Sequence, residues 1–262
     1  MNAIILAAGQ GNRLRPYSLD KPKCMVSLAG RPLLHWQLGC LNACGITSSI
    51  VVVGGYHIAG LTAPGATIVE NTAYASTNMV HSLMCARAHI VLGEDLLISY
   101  GDIVYEPRVL RAVVDSPAPL TIAADHQWRR FWSIRMENPL ADAETFKLAA
   151  DGRITELGRK PKSYDEVQGQ YMGLVKFRGD RVGTLLEHID RMDRSAKYDG
   201  KVFSNMYMTS LLQNLIDAGW AAHACLVNNG WLEIDTASEL DEFQRMHDDG
   251  SLKSFCDLRS IV

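Results

Sequence analysis

The sequence has no CxxC pair, no cysteine and histidine cluster at metal-finger spacing, and no apolar run approaching the ~20 residues that cross a bilayer. Its six cysteines, Cys24, Cys40, Cys44, Cys85, Cys225 and Cys256, are scattered through apolar segments. They read as reduced, buried thiols rather than a disulfide framework. The apolar stretch 3–8 is too short for a secretory signal and has no basic residue before it, so the expected compartment is the cytoplasm. Charge of one sign is also lacking: 26 basic against 29 acidic residues leave a net charge of -3. Such a balance gives no global field for nucleic acid or an anionic membrane, and neither is expected as a partner. Any anion site must therefore be local. Long Pro/Gly/Ser linkers and internal repeats are missing too. With 47% hydrophobic residues, the expectation is one domain over 1–262 with a sizeable core.

What is present is an alternation of short apolar runs with amphipathic stretches, the pattern of parallel strands joined by crossover helices. Strands are expected at 3–6, 49–53, 67–70, 96–100 and 120–124. Helices fit between them at 32–43, where proline opens and Gly45 follows the end, and at 80–89 and 107–114. The second half changes character. Runs 146–149 and 153–157 flank Asp151-Gly152, a hairpin signal, and are expected to add antiparallel strands to the sheet. A strand at 170–177, helices at 182–189 and 206–218, a strand at 222–226 and a helix from Ser238 complete the reading. The expected fold is α/β: three-layer α/β/α, Rossmann-like, with a mixed, mostly parallel sheet and antiparallel additions in the second half.

The sharpest local signal is Leu6-Ala7-Ala8-Gly9-Gln10-Gly11-Asn12-Arg13-Leu14, directly after the first strand. Glycines let the backbone approach a ligand closely, and successive N–H groups in such a turn can cradle phosphate oxygens. A dinucleotide fingerprint would want a small residue at Leu14 and an acid after the second strand, where Val53-Gly54-Gly55-Tyr56 stands. A P-loop would need Gly-Lys-Ser/Thr, which does not follow. Arg13, Arg15, Lys21, Lys23 and Arg31 then oppose a single acid, Asp20. In an acidic chain this is a local funnel for a polyanion, and Pro22 restrains the backbone beside Lys23. An ordinary solvated loop is the alternative.

Two aspartates complete a candidate centre. Asp102 follows the strand 96–100 and Gly101, at the carboxyl end where open α/β sheets bind ligands. Asp235 ends the strand-like run Trp231-Leu232-Glu233-Ile234, with Glu233 on the same face one pleat away. Two carboxylates suit Mg²⁺, which fills its octahedron with phosphate oxygens and water. Each aspartate could instead cap a neighbouring helix.

The stretch AIILAAGQGNRLRPYSLDKPKCMVSLAGRPLL resembles the N-terminal signature of the nucleotidyltransferases that make nucleotide sugars and CDP-linked small molecules. This sugar-phosphate nucleotidyltransferase superfamily shows LAAGxGxRL followed by a KPK-like element. The resemblance implies Arg13 and Lys23 as catalytic cations acting on an NTP. It implies Leu6, Ala8, Gly9, Gly11, Tyr100 and Gly101 around the nucleotide, with Asp102 and Asp235 as the Mg²⁺ ligands. Asn71, Tyr74, Asn78, Ser82 and Leu83 resemble the phosphocholine and phosphonate cytidylyltransferase branch; the Gln and Gly-Thr-Ala elements usual in dTTP- or UTP-dependent enzymes are missing. CTP is thus the implied nucleotide, with Asn78 and Ser82 as base contacts, although Ser76-Thr77-Asn78 also reads as an N-cap cluster.

The implied second substrate is a small phosphorylated or phosphonylated acceptor. In the segment 125–135, Trp128, Phe131 and Trp132 are interleaved with Arg129, Arg130 and Arg135. Aromatic rings would suit a quaternary ammonium and arginines an anion, so Trp128, Arg129 and Trp132 are acceptor candidates of either kind. Lys160 lies in a second basic run, and Gln170 and Tyr171 fall on a strand that by resemblance contacts the acceptor, often with glutamate where Gln170 stands. The nucleotide-binding half would be 1–125, and 126–262 would bind the acceptor and supply the second metal ligand. A sugar-1-phosphate nucleotidylyltransferase using another NTP, or a non-catalytic nucleotide-binding regulatory module, are the competing readings.

Overall fold

The structure is a computed structural model and describes residues 1–261. Seven strands form its central sheet: β1 (Asn2–Ala7), β2 (Ile50–Gly54), β3 (Thr67–Glu70), β4 (Leu96–Tyr100), β5 (Leu120–Asp125), β6 (Gln170–Phe177) and β7 (Ala222–Val227). The spatial order is β7-β5-β6-β4-β1-β2-β3. Only β6 runs against its neighbours β4 and β5, and the other pairings are parallel. The helices are α1 (Leu33–Ala43), α2 (Met79–Cys85), α3 (Pro107–Val114), α4 (Trp128–Arg135), α5 (Pro139–Asp142), α6 (Gly179–Arg191), α7 (Met208–Asp217) and α8 (Ala237–Asp248).

Near-continuous apolar strands follow from burial on both faces. Along β1, Ala3, Ile5 and Ala7 face one core with α1, α3, α4 and α8. Ile4 and Leu6 face the other, built with α2, α6 and α7. The sheet is thus the middle of three layers, as the sequence pattern predicts.

Two expectations need correction. The ribbon Phe146–Leu148 with Ile154–Leu157 pairs antiparallel, as its Asp-Gly turn predicts, but stays outside the central sheet. Its side chains Phe146, Ile154 and Leu157 are consumed in the second core, and Gln213 of α7 accepts a hydrogen bond from the Leu157 N–H at 2.8 Å. The helix expected over 80–89 ends at Cys85, and residues Arg87–His89 form a tighter turn. All six cysteines are free thiols, with Cys24, Cys40 and Cys256 buried. Among the described residues, no helix is long and apolar enough to cross a membrane.

Polar ties at the strand ends hold the site-bearing edge. Asp125 is fully buried at the end of β5 and accepts from Gln127 N, Asn229 N and Trp231 Nε1 at 2.8, 3.1 and 3.0 Å. Gln37 of α1 donates to Tyr100 O at 2.9 Å and accepts from Ser99 Oγ at 2.8 Å. These pairings compensate the burial of the polar groups and fix where β4 and the 229–231 segment end.

Candidate active site

Asp102 and Asp235 are brought together by a short antiparallel ribbon. Past β4, residues Ile103–Tyr105 pair with Trp231–Glu233, placing Ile103 opposite Glu233. The Ile234 N–H then donates to Asp102 O at 3.1 Å. Neither aspartate does the capping work that a purely structural role would give it. Thr236 caps α8 in a reciprocal capping box with Glu239, and Glu106 precedes α3 with no side-chain cap. Both carboxylates are left for each other's neighbourhood.

Lys23 fills the space between them, its Nζ 2.7 Å from Asp102 and 2.5 Å from Asp235. It starts a single tight turn directly after Pro22. Gly11, at φ 60°, leaves room for it: a Cβ there would lie 2.9 Å from Lys23 Cβ. Burial alone would lower the Lys23 pKa, but the two carboxylates outweigh it and hold the ammonium above its ordinary value. Burial likewise pushes Asp235 upward, and Lys23, Arg13 and Arg135 more than reverse this. The second Asp102 oxygen, Oδ1, is buried without a hydrogen-bond partner, an expensive condition for a carboxylate. Two carboxylates converging on one cation, one with an orphaned oxygen, fit a divalent ion that completes its shell from substrate phosphate.

Behind Asp235 stands Arg135, whose side chain is 1% exposed. It reaches Glu233 at 2.7 Å, Glu239 at 2.8 Å and Asp235 at 3.7 Å. Glu239 also accepts from the N–H groups of Asp235 and Thr236 at 2.8 and 2.9 Å. Burial raises the Glu233 pKa and Arg135 opposes it. Arg135 therefore braces the loop that carries Asp235.

Two hollows open on either side of this centre. The first, of about 630 Å³, is lined by Leu6, Ala8, Gly9, Lys23, Asn78, Ser82, Tyr100 and Gly101, all flagged by the sequence. Asn71 shapes its wall: its side chain donates to Thr77 Oγ1 and Ser82 Oγ, each at 3.0 Å, and accepts from Ala73 N at 3.0 Å. Asn78 is the N-cap of α2, accepting from Met79 N, so it combines the capping role with a place in the hollow. The second hollow, of about 980 Å³, holds Arg13, Trp132, Gln170, Tyr171, Glu233 and Asp235. The two share Met79, Tyr100 and Asp102. Asp102 thus sits on the seam between them.

Several sequence candidates are not brought there. Arg13 faces the second hollow rather than the first and pairs with Asp235 at 3.2 Å. Gly11 supports Lys23 without lining either hollow. Of the basic run, Lys21 pairs with Asp20 at 3.7 Å, Arg31 stacks on Trp36 and Arg15 is exposed and lines neither hollow, so of these five Arg13 and Lys23 reach the centre. Of the acceptor candidates in 125–135, Trp132 lines the second hollow while also packing in the core, and Trp128 and Arg129 line neither hollow. Trp128 is buried, stacked on Tyr164, and donates to Val167 O at 3.1 Å, while Arg129 lies over the outer ring of that stack, Tyr164. α4 turns its tryptophans inward because its apolar face must be buried. Lys160 donates to the carbonyls of Leu140 and Ala141 and lies outside the hollow. In their place the structure brings Asp142, Glu144, Tyr207 and Thr209, which no local motif marks.

A glycine-lined hollow at the carboxyl ends of parallel strands, opening on a lysine and two carboxylates, defines the class: a nucleotide-dependent transferase. A family model described as a MobA-like NTP transferase domain matches residues 3–194. The chain belongs to this family and is a nucleotidyltransferase. It is 41% identical over 250 residues to a CTP:phosphoglutamine cytidylyltransferase of Campylobacter jejuni, covering 92% of this chain and 98% of that one. It is 31% identical to a CMP-5'-(3-aminopropyl)phosphonate synthase of Streptomyces rubellomurinus, covering 90% of this chain but 37% of that protein. Among solved structures, the CTP:phosphocholine cytidylyltransferase of Streptococcus pneumoniae superposes with a TM-score of 0.70 at 19% identity, over 94% of this chain and 98% of that one. That likeness is one of fold.

Proposed function

We propose that the chain is a CTP-dependent cytidylyltransferase that couples CMP to a small phosphorylated or phosphonylated acceptor and releases pyrophosphate. The observation that carries this reading is the seam: a hollow lined by the glycine loop and a polar second hollow meet at Asp102, beside Lys23 and Asp235. The relatives named above supply the nucleotide and the acceptor class.

An oxygen of the acceptor's phosphate or phosphonate forms the bond to the α-phosphorus of CTP as the bond to pyrophosphate breaks. That oxygen is already anionic at neutral pH, so no side chain needs to take a proton. The obstacle is repulsion between two anions, and the remedy is positioning with preorganised positive charge. Lys23 belongs to the nucleotide side and Arg13 to the acceptor side, so the cations bracket the seam. Asp102 and Asp235 would hold Mg²⁺, which would neutralise phosphate charge there when bound. Arg135 keeps Asp235 in place throughout, and Asn71 keeps Ser82 and Thr77 in place on the nucleotide wall.

Pyrophosphate release from each of the four NTPs, with Mg²⁺ and a panel of phosphorylated and phosphonylated acceptors, tests the reading. CTP is expected to give turnover with nitrogen-bearing phosphates or phosphonates. Turnover only with sugar 1-phosphates and another NTP, or none with any pairing, would overturn it.

A further inference from the structure

The far end of the second hollow, away from the seam, has a chemistry of its own. Asp142 from the end of α5 and Glu144 from the segment before the 146–157 ribbon both line it. Among the described residues neither carboxylate forms an ion pair, although the chain makes twenty others. Asp142 is aligned by Trp132, whose Nε1 donates to Oδ2 at 3.2 Å. Glu144 is aligned by Gln170, whose Oε1 accepts from the Glu144 backbone N–H at 3.3 Å. Tyr171 lines the same space, is 8% exposed, and its hydroxyl has no hydrogen-bond partner. Burial first, then Asp142 and Asp199, raise the Glu144 pKa to about 7, with Lys160 opposing them. Glu144 is half-buried beside the like charge of the more exposed Asp142, and with the orphaned hydroxyl this arrangement is costly unless a cationic donor completes it.

We propose that Glu144 and Asp142, with the Tyr171 hydroxyl, form a subsite for the ammonium end of the acceptor, selecting a cationic nitrogen that carries N–H donors. The inference rests on the cytidylyl-transfer reading for the identity of the other end, the phosphate or phosphonate at the seam beside Arg13 and Asp102. It goes beyond that reading in excluding two acceptor types. A neutral polyol phosphate leaves both carboxylates unpaired. A trimethylammonium offers no N–H to them: the rings of Trp132 and Tyr207 that line the same hollow can attract its charge, but they leave both carboxylates without a donor. Gln170 accepts from the Glu144 N–H as a glutamate would, but adds no further negative charge beside Glu144 and Asp142.

Calorimetric binding of 2-aminoethylphosphonate, its N-acetyl form and its N-trimethyl form reads the subsite directly, without CTP. The unmodified amine is expected to bind at least about tenfold tighter than either derivative, and Glu144→Gln to lose about tenfold in affinity for the amine alone. Asp142→Asn should weaken it in the same way, with CTP binding unchanged in both variants. Equal affinity for the three compounds, no binding of the amine, or an undiminished preference in both variants overturns the subsite. Failure of the cytidylyl-transfer reading shows separately, as absent pyrophosphate release from CTP while amine binding persists.

Discussion

Lys23 and Asp102 are the side chains on which the reaction should depend most. Lys23→Ala removes the buried ammonium between two carboxylates, and Asp102→Ala removes the group on the seam. Each is expected to lower CTP-dependent pyrophosphate release by at least ~10²-fold while the melting temperature shows a folded protein. Near-normal turnover in either variant would refute the assignment. Glu144 makes a different prediction. Its pKa of about 7 in the folded chain exceeds the ~4.3 of a free glutamate, so ionising it opposes folding. The cost is absent below the unfolded value, grows as pH rises, and is complete above about 7. Glu144→Gln should therefore raise the melting temperature at pH 8, by the equivalent of about 1 kcal/mol, and give no gain near pH 4. A variant that is no more stable than the parent at pH 8 would show that Glu144 is not strained. A residue with a special backbone need was readable from sequence at Gly11. The Glu144 site was not, because its carboxylate is defined by what surrounds it rather than by its neighbours in the chain.

At the level of elements, β6 decides how the two hollows meet. Its pairing with β5 slips between Tyr171 and Val175, where Gly173 has φ 77° and a Cβ would lie 2.6 Å from the Tyr100 ring. The slip sets Tyr171 edge-to-face with Tyr100 at 5.7 Å, and both line the second hollow. Gly173→Ala is expected to cost about 2 kcal/mol in urea unfolding and to displace Tyr100. A loss under a few tenths would mean that the strand relaxes without it. Parallel strands with crossover helices were the easiest elements to foresee, since their apolar runs announce burial on both faces. The second half was harder. The ribbon 146–157 has the same local pattern as a sheet strand, and only packing against α7 assigns it elsewhere. The aromatic and arginine-rich run 125–135 offered acceptor contacts of either kind because rings and cations serve a core and a ligand site equally well. Helical period separates them: Trp128, Phe131, Trp132 and Arg135 fall on one face, and that face is buried.

For the whole molecule, the two halves inferred from sequence share one sheet. β5, β6 and β7 lie beside β4 and β1 without a break, and the end of the chain returns to the first half. Asp257 N donates to Glu106 at 2.8 Å, and Ile261 is buried in the core with α1. We expect 1–125 and 126–262 to unfold as one cooperative unit. Tryptophan fluorescence, reporting Trp36 in one half and Trp128, Trp132, Trp220 and Trp231 in the other, should give the same urea midpoint as far-UV circular dichroism. Separate midpoints would make the halves independent domains.

The shared wall at Met79, Tyr100 and Asp102 has a kinetic side. Each substrate arrives with one anchorage, but the coupled product holds both at once. Letting go on one side leaves the other tethered close by, at a high effective concentration for rebinding. Departure thus requires two releases to coincide, so the enzyme should be restrained by its own product more than by either substrate, and clearing the seam becomes the slow event of the cycle.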